Sequence, residues 1–369
     1  MFAYSELLSL FLIVLLVYLL QCICWASPRA IIFSPGIRGR GKRRYPGFVW
    51  NAFDIAGLLA NPLPPLAPVL VVQWPAFELS PDSIQFPAKE TKEDVGAKWI
   101  SIPWEKLEVS HSEAKLLCNG VVAFKGSKIQ VLEYVDLLEQ LRRARRGQRG
   151  QIIQDWLRKS LSIENTARRV RVFTGRSLWV KILTNLQFFF LFFGVPLAFR
   201  FFGTGILWRV ILVLVTISVA IALEFWTLVK SAHPNRKVSW MTSLVTVILS
   251  PVAAIRAEDA AARDLLSGFH PLAVAGAVLP EEEFRRFAAE QLRLCRFGDY
   301  RVEQYRQALQ KAMEQGIKQK KLNPTDLLRP PAPEAGCIVY CPRCLAQYTK
   351  ARTECTDCGY EGVTGFARG

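Results

Sequence analysis

The chain has 369 residues, a length that favours two or three domains. Hydrophobic residues make up 51%, charged residues 21%, and the mean hydropathy is +0.19, values that exclude an intrinsically disordered chain and are unusual for a soluble protein. Because the apolar residues concentrate in a few long runs, the composition predicts an integral membrane protein with sizeable polar domains.

Nearly all of the net charge of +16 lies in two basic clusters. The first, between residues 28 and 47, contains no acid and includes Arg38, Arg40, Lys42, Arg43 and Arg44. The second covers residues 139–181. Basic clusters beside apolar runs are typical of cytosolic flanks, so we predict that these side chains bind the anionic headgroups of a lipid bilayer. Nucleic acid is the alternative ligand for such charge, and it is disfavoured because each cluster borders an apolar run.

Four apolar runs are the predicted membrane segments. Residues 7–25 predict an anchor whose N-terminus lies outside, because the bases follow the run; a cleaved signal peptide is the alternative. Residues 186–202 and 206–229 predict a transmembrane hairpin. Residues 240–255 form a shorter run that either spans or re-enters, and this choice decides the side of the C-terminus. The predicted location is a bacterial-type inner membrane, crossed several times, with a cytosolic large loop and C-terminus.

The predicted fold class is therefore a membrane protein with α-helical transmembrane segments, a cytosolic α+β domain and a C-terminal zinc ribbon. We predict the following division of the chain: an anchor at 1–27, the α+β domain at 28–185, the transmembrane hairpin at 186–230, a third hydrophobic segment at 238–256, a helical hairpin at 257–322, a Pro-rich linker at 323–336 and the ribbon at 337–369.

Within the large loop, short β-type runs precede one amphipathic helix. Asn119-Gly120 between two such runs is a strong hairpin signal, and Ser127 is a suitable N-cap for the helix that follows. Together with the run IPWEKLEV at 102–109, this pattern resembles bacterial PH-like domains over residues 69–146. The resemblance implies a module that contacts protein or lipid without catalysis; an unrelated small sheet with a helix is the alternative.

Two further amphipathic helices are predicted after residue 280. Pro280 is predicted at the first helical position with three glutamates in the first turn, and an apolar stripe follows at Phe284, Phe287, Ala288, Leu292 and Cys295. A second stripe runs from Val302 to Ala312, so the pair predicts a helical hairpin. The apolar stretch 268–279 is too short to span and is expected to pack under this hairpin or to lie on the membrane.

The most specific motif is CPRC at 341–344, followed after ten residues by CTDC at 355–358. Cys341, Cys344, Cys355 and Cys358 supply the four thiolates that tetrahedral Zn²⁺ requires, so we predict them as ligands of a structural zinc ion. The segment resembles the zinc-ribbon family over residues 339–366. Four protein ligands leave no open coordination position, and a metal of this kind contributes folding energy to a short segment. Cys337 is a spare thiol.

Other motifs are incomplete. Residues 36–42 match the start of a phosphate-binding GxxxxGK loop, but Arg43 stands where Ser or Thr would hold Mg²⁺. None of His111, His233 and His270 lies in a metalloprotease motif or beside a nucleophile. The sequence therefore favours a non-enzymatic membrane adaptor, sensor or assembly factor that presents the PH-like module and the ribbon to a protein partner. A membrane-bound enzyme with a site at the cytosolic face is the alternative.

Overall fold

The computed structural model describes residues 70–88, 98–112, 114–202, 207–232 and 264–366, together with short pieces at 9, 12, 23–25, 31–33, 49–51, 58–60, 205, 240–241 and 244–245. The chain divides into two compact units. The first combines Met1–Gln73 with Arg168–Ser267, and the second combines Trp74–Ala167 with Gly268–Gly369. The fold is α+β with small sheets.

Most of the described strands and helices are short. The strands are β1 Ile23–Trp25, β2 Ile31–Phe33, β3 Val49–Asn51, β4 Leu58–Ala60, β5 Leu70–Val72, β6 Glu78–Leu79, β7 Ser83–Pro87, β8 Trp99–Pro103, β9 Val109–Ser112, β10 Lys115–Cys118, β11 Val121–Lys125, β12 Val339–Tyr340, β13 Gln347–Tyr348 and β14 Thr364–Gly365. The helices are α1 Lys128–Arg143, α2 Arg146–Ser160, α3 Ile163–Phe189, α4 Val195–Phe202, α5 Leu207–Ala232, α6 Pro271–Val278, α7 Glu281–Arg296, α8 Glu303–Gln319 and α9 Pro324–Leu327.

The first unit contains two small antiparallel sheets, α4, α5 and the part of α3 after residue 167. Strand β1 pairs with β4, and β2 lies between β3 and β5. A π-helical turn at Phe190–Gly194 separates α3 from α4. On α5, Ile221 and Ala222 are buried, and partly buried apolar side chains from Leu183, Ile217 and Leu244 pack against them.

The predicted membrane segments are corrected by the structure. Among the residues that the structure describes, no helix combines the length and the apolar character needed to cross a bilayer. The last residues of the predicted anchor, Ile23–Trp25, form strand β1 instead of helix. The predicted second span begins inside α3 and ends in the eight-residue helix α4. On these residues, the prediction of a multi-pass membrane protein at an inner membrane is wrong.

The physical reason is that hydropathy counts apolar residues without showing where an element begins and ends. Helix α3 starts at Ile163 and continues through the basic stretch before residue 182, so the apolar run at 186 is not a separate element. Arg209, Glu224 and Lys230 all lie within α5, the helix that covers the predicted third span. The basic residues 38–44, predicted to bind headgroups, lie outside the described residues.

The second unit begins with two antiparallel three-stranded sheets. Strand β7 lies between β6 and β8, and β10 lies between β9 and β11. The predicted hairpin is confirmed: Cys118 pairs with Val121, and Asn119 and Gly120 both adopt positive φ, at 50° and 77°. Asn and Gly tolerate this left-handed conformation, which the two-residue turn requires. Ser127 caps α1, as predicted, by accepting a hydrogen bond from the backbone N–H of Gln130.

The predicted C-terminal helical hairpin is formed by α7 and α8. All five residues of the predicted stripe on α7 are buried, although Pro280 is its N-cap and not its first helical residue. Helix α6 is buried over most of its length, so the stretch that was expected to pack under the hairpin is part of the core. Its Gly276 approaches Ile163 so closely that a Cβ there would lie 2.6 Å from Ile163 Cδ1.

One buried carboxylate fastens the hairpin to the sheet. Oε2 of Glu78, on β6, accepts hydrogen bonds from the backbone N–H groups of Arg301 and Val302, at 2.9 and 2.6 Å. These amides belong to the N-cap residue of α8, Val302, and to the residue before it, next to helical N–H groups that have no partner within the helix. The negative charge also lies at the positive end of the helix dipole. Glu78 therefore caps a helix that is more than two hundred residues away along the chain.

Aromatic side chains form the centre of the second unit. The Trp74 and Trp156 rings stack with centroids 5.0 Å apart, and the His270 ring meets Trp74 edge-on at 4.8 Å. Phe77 packs edge-on against Tyr134 at 5.4 Å. Nδ1 of His270 accepts a hydrogen bond from the backbone N–H of Leu272 and so caps α6. Burial lowers the pKa of His270 to about 3, which keeps its ring neutral.

Candidate metal centre

The C-terminal segment folds around two cysteine-containing turns on a three-stranded sheet. Strand β12 lies between β13 and β14, and all pairs are antiparallel. The first turn, residues 341–346, connects β12 to β13, and the second turn, residues 355–360, lies between β13 and β14. We call the segment 339–366 the ribbon. Its strands are two residues long, so the sheet itself contributes little stability.

The two turns repeat the same backbone geometry. The N–H of Cys341 donates to the carbonyl of Ala346 at 2.8 Å, and the N–H of Cys355 donates to the carbonyl of Tyr360 at 3.0 Å. Four residues after each first cysteine the chain adopts positive φ, 66° at both Leu345 and Gly359. Each turn thereby folds its two cysteines back toward the same point, which explains why the sequence uses two CxxC pairs.

The four predicted ligands are brought together. Their sulfur atoms all lie within 4.8 Å of one another, with Cys341 3.6 Å from Cys358 and Cys344 3.4 Å from Cys355. These separations are too long for disulfide bonds. They are close to the sulfur–sulfur distance of roughly 3.8 Å that follows from Zn–S bonds of about 2.3 Å in a tetrahedron. Four cysteines so close together could bind a metal ion such as zinc.

Hydrogen bonds to Cys355 favour its metal-binding thiolate form. Burial raises the pKa of its thiol, but hydrogen bonds from the Tyr348 hydroxyl and from the backbone N–H groups of Cys358 and Asp357 outweigh burial and lower the pKa to about 6. The thiolate is the form that binds metal. For Cys358, burial dominates and raises the pKa to about 11. A metal ion would therefore have to displace the proton from this second thiol.

The ribbon is attached to the helical hairpin through both of its turns. From the first turn, Arg343 Nη1 lies 3.2 Å from Asp299 Oδ2. At the end of the second turn, the Tyr360 ring packs edge-on against Phe297 at 5.7 Å. Asp299 and Phe297 both belong to the connection between α7 and α8. The preceding linker is also held, because Gln347 Nε2 donates to the carbonyl of Ala332 at 3.0 Å.

A separate cleft of about 360 Å³ lies between α2 and α8. Its floor is apolar, with Leu79, Ile153 and Ala312. Its rim carries four glutamines and two cations, namely Gln154, Gln304, Gln307, Gln315, Arg158 and Lys311. The lining contains no carboxylate, histidine, serine or cysteine, so this cleft does not bring together the acids that an acid–base or hydrolytic mechanism requires.

No protein-family model matches this chain, and neither a curated protein nor a solved structure matches it. The resemblance of residues 69–146 to PH-like domains therefore finds no support.

Several other residues singled out from the sequence have structural positions. His111 is exposed on β9, and His270 is the buried cap of α6. Cys337 is partly buried and is not one of the four clustered cysteines. Sequence reasoning missed Tyr348, whose hydroxyl lies 3.0 Å from Cys355 Sγ. An aromatic residue four positions after a CxxC pair gives no indication that its hydroxyl returns to the other pair.

Proposed function

We propose that the chain is a non-catalytic adaptor that binds a partner protein and that the ribbon is held together by one structural zinc ion. The observation that carries this proposal is the cluster of four sulfur atoms within 4.8 Å. Among the residues that the structure describes, it is the one group of three or more His, Cys, Asp or Glu side chains placed to hold a metal. Four thiolates complete a tetrahedron and leave no position for substrate or water.

The size of the ribbon supports a structural role for zinc. A segment of this length buries too little apolar surface to fold by itself, and a bound metal supplies the missing free energy. Charge argues against nucleic acid as the ligand. The ribbon has as many bases as acids, namely Arg343, Lys350 and Arg352 against Glu354, Asp357 and Glu361, whereas nucleic-acid modules carry a basic face.

The cleft between α2 and α8 supports the binding of a partner. Glutamine side chains both donate and accept hydrogen bonds, and they surround an apolar floor in the way that suits a peptide segment with one apolar side chain. Lys311 and Arg158 would add preference for acidic neighbours in that segment. The first turns of α8 form one wall of the cleft.

Zinc content and coordination test the metal assignment. The purified full-length chain is expected to contain one zinc per polypeptide by elemental analysis, and X-ray absorption should show four sulfur ligands at about 2.3 Å. Cys341→Ser and Cys355→Ser should each abolish stoichiometric zinc. Cys337→Ser is the matched control, because it removes a nearby thiol outside the cluster and should leave zinc at one per chain.

Two results would contradict the proposal. A zinc ion with only three sulfur ligands and a water molecule in the fourth position would indicate an open, catalytic type of site. Full retention of zinc in both serine variants would exclude the cluster as the binding site.

Site-specific photo-crosslinking tests partner binding at the cleft. A photoreactive amino acid at Gln307, on the cleft rim, should give a discrete protein adduct in cells, and the same group at Asp136, exposed on α1, should not. Equal labelling from both positions, or none from Gln307, would argue against the cleft as the binding surface.

A further inference from the structure

Tyr348 is placed to contact the metal centre from outside its ligand set. It lies on β13, and its hydroxyl oxygen is 3.0 Å from Sγ of Cys355 in the second turn. When Cys355 is a metal-bound thiolate, the sulfur has no proton, so the phenol must donate the hydrogen bond. The side chain thus connects the first hairpin of the ribbon to a ligand in the second turn.

A chain of polar contacts leads from Arg352 to the same hydroxyl. Arg352 Nη1 donates to Thr356 Oγ1 at 3.1 Å. The single proton of the Thr356 hydroxyl has two acceptors within reach, Tyr348 Oη at 3.5 Å and Asp357 Oδ1 at 3.4 Å. The Arg352 guanidinium also lies over the Tyr348 ring, with its central carbon 4.0 Å from the ring centroid. A donor that itself accepts a hydrogen bond is polarised and donates more strongly, and the cation over the ring fixes its orientation.

The contacts of Tyr348 and Arg352 offset the negative charge of a metal–thiolate cluster. A divalent metal with four thiolates carries a net charge of −2, and much of that charge lies on the sulfur atoms. A hydrogen bond to one sulfur withdraws electron density from it, and a nearby guanidinium offsets the charge of the whole cluster. Both effects make the sulfur less reactive toward protons, electrophiles and competing metal acceptors.

We propose that Tyr348 is a positioning residue of the metal centre: its hydroxyl, oriented by Arg352 and Thr356, donates to the Cys355 thiolate and retains that sulfur on the metal. The inference rests on the proposed metal site and deepens it. The four cysteines determine whether metal binds, and Tyr348 determines how slowly the metal leaves.

The experiment compares metal release from the full-length, zinc-loaded chain. Tyr348→Phe removes only the hydroxyl and should accelerate zinc transfer to a chromophoric chelator by about tenfold, the lower end of the range for lost outer-shell partners. Tyr340→Phe is the matched control. Tyr340 lies on the adjacent strand β12, and its ring is tilted against Phe366 with centroids 5.0 Å apart, so its variant should release zinc at the unsubstituted rate.

Spectroscopy separates this role from a loss of packing. With cobalt in place of zinc, the thiolate-to-metal charge-transfer band of Tyr348→Phe should move to lower energy, because the hydrogen bond no longer stabilises the sulfur electrons. Arg352→Met keeps the phenol and should give a smaller shift in the same direction. If Tyr348→Phe does not fold, this second variant still decides, and an unshifted band would overturn the proposal.

The outcomes also distinguish this inference from the proposed function. Metal in the unsubstituted chain together with unchanged release and an unchanged band in Tyr348→Phe would refute the role of Tyr348 alone. No metal in the unsubstituted chain would refute the metal site, and the inference with it.

Discussion

Replacing Arg149 by methionine should destabilise the second unit, because one buried guanidinium group joins three of its elements. Arg149 lies on α2 and its side chain is 8% exposed. Its Nε donates to the carbonyls of Leu141 and Ala144 at the end of α1, both at 3.0 Å, and Nη1 donates to the carbonyl of Pro81 at 3.0 Å. The carbonyls of the last turn of a helix have no partner within the helix.

The expected cost follows from these acceptors. Methionine keeps most of the apolar stem but leaves the three carbonyls without their donor. A buried acceptor that loses its partner costs about 1–3 kcal/mol, and losses at neighbouring groups do not add fully. We therefore expect Arg149→Met to lower the free energy of unfolding by about 2–5 kcal/mol, which is less than the full sum for three buried acceptors.

Glu105→Gln is the control for this reasoning. Glu105 is the carboxylate partner of Arg149, at 3.3 Å, but its side chain is 69% exposed and well hydrated. Such an ion pair contributes little in water, so Glu105→Gln should unfold at the same denaturant concentration as the unsubstituted chain. Equilibrium unfolding in urea, followed by circular dichroism on the zinc-loaded chain, measures both variants. Equal losses in the two variants would show that the ion pair, and not the carbonyl contacts, carries the energy.

Two further predictions concern α6. The pKa of His270 is lower in the folded chain than in the unfolded chain, so the unfolded chain binds the proton more readily. The contribution of His270 to stability is therefore full above pH 6.5 and falls by about 1.4 kcal/mol per pH unit toward about pH 3. His270→Asn keeps a capping oxygen and should remove this pH dependence in urea titrations at several pH values. Gly276→Ala should lower the thermal midpoint, because its Cβ would clash with Ile163 and reduce the free energy of unfolding by about 1–3 kcal/mol. Gly150→Ala on α2 should raise the midpoint, because a Cβ there meets nothing within 4 Å and alanine favours the helix.

The features that could be predicted from the sequence depend on residues close together in the chain. The turn at Asn119-Gly120 follows from two residues that tolerate positive φ. The buried stripe of α7 follows from helical spacing. The cysteine cluster follows from two CxxC pairs, each of which forms its own turn. The only contact between residues distant in the sequence that this cluster requires is the approach of one turn to the other.

The features that could not be predicted join distant residues or depend on where an element ends. Nothing near Glu78 shows that its carboxylate caps α8, and nothing near Trp74 shows that it stacks on Trp156. The membrane prediction was wrong on the described residues because it depended on where the helices end. Apolar counts treated 186–202 as one segment, whereas the chain continues α3 to Phe189 and then passes through a π-helical turn.

The link between Glu78 and the start of α8 has a consequence for synthesis of the protein. The carboxylate and its Val302 amide are 224 positions apart. At translation rates of about 5–20 residues per second, Glu78 therefore leaves the ribosome roughly 10–45 seconds before the helix that it caps. During that interval Trp74 and Phe77 are synthesised, but the hairpin of α7 and α8 is not. Nascent chains of this protein should therefore depend on a holding chaperone until the C-terminal half has been synthesised.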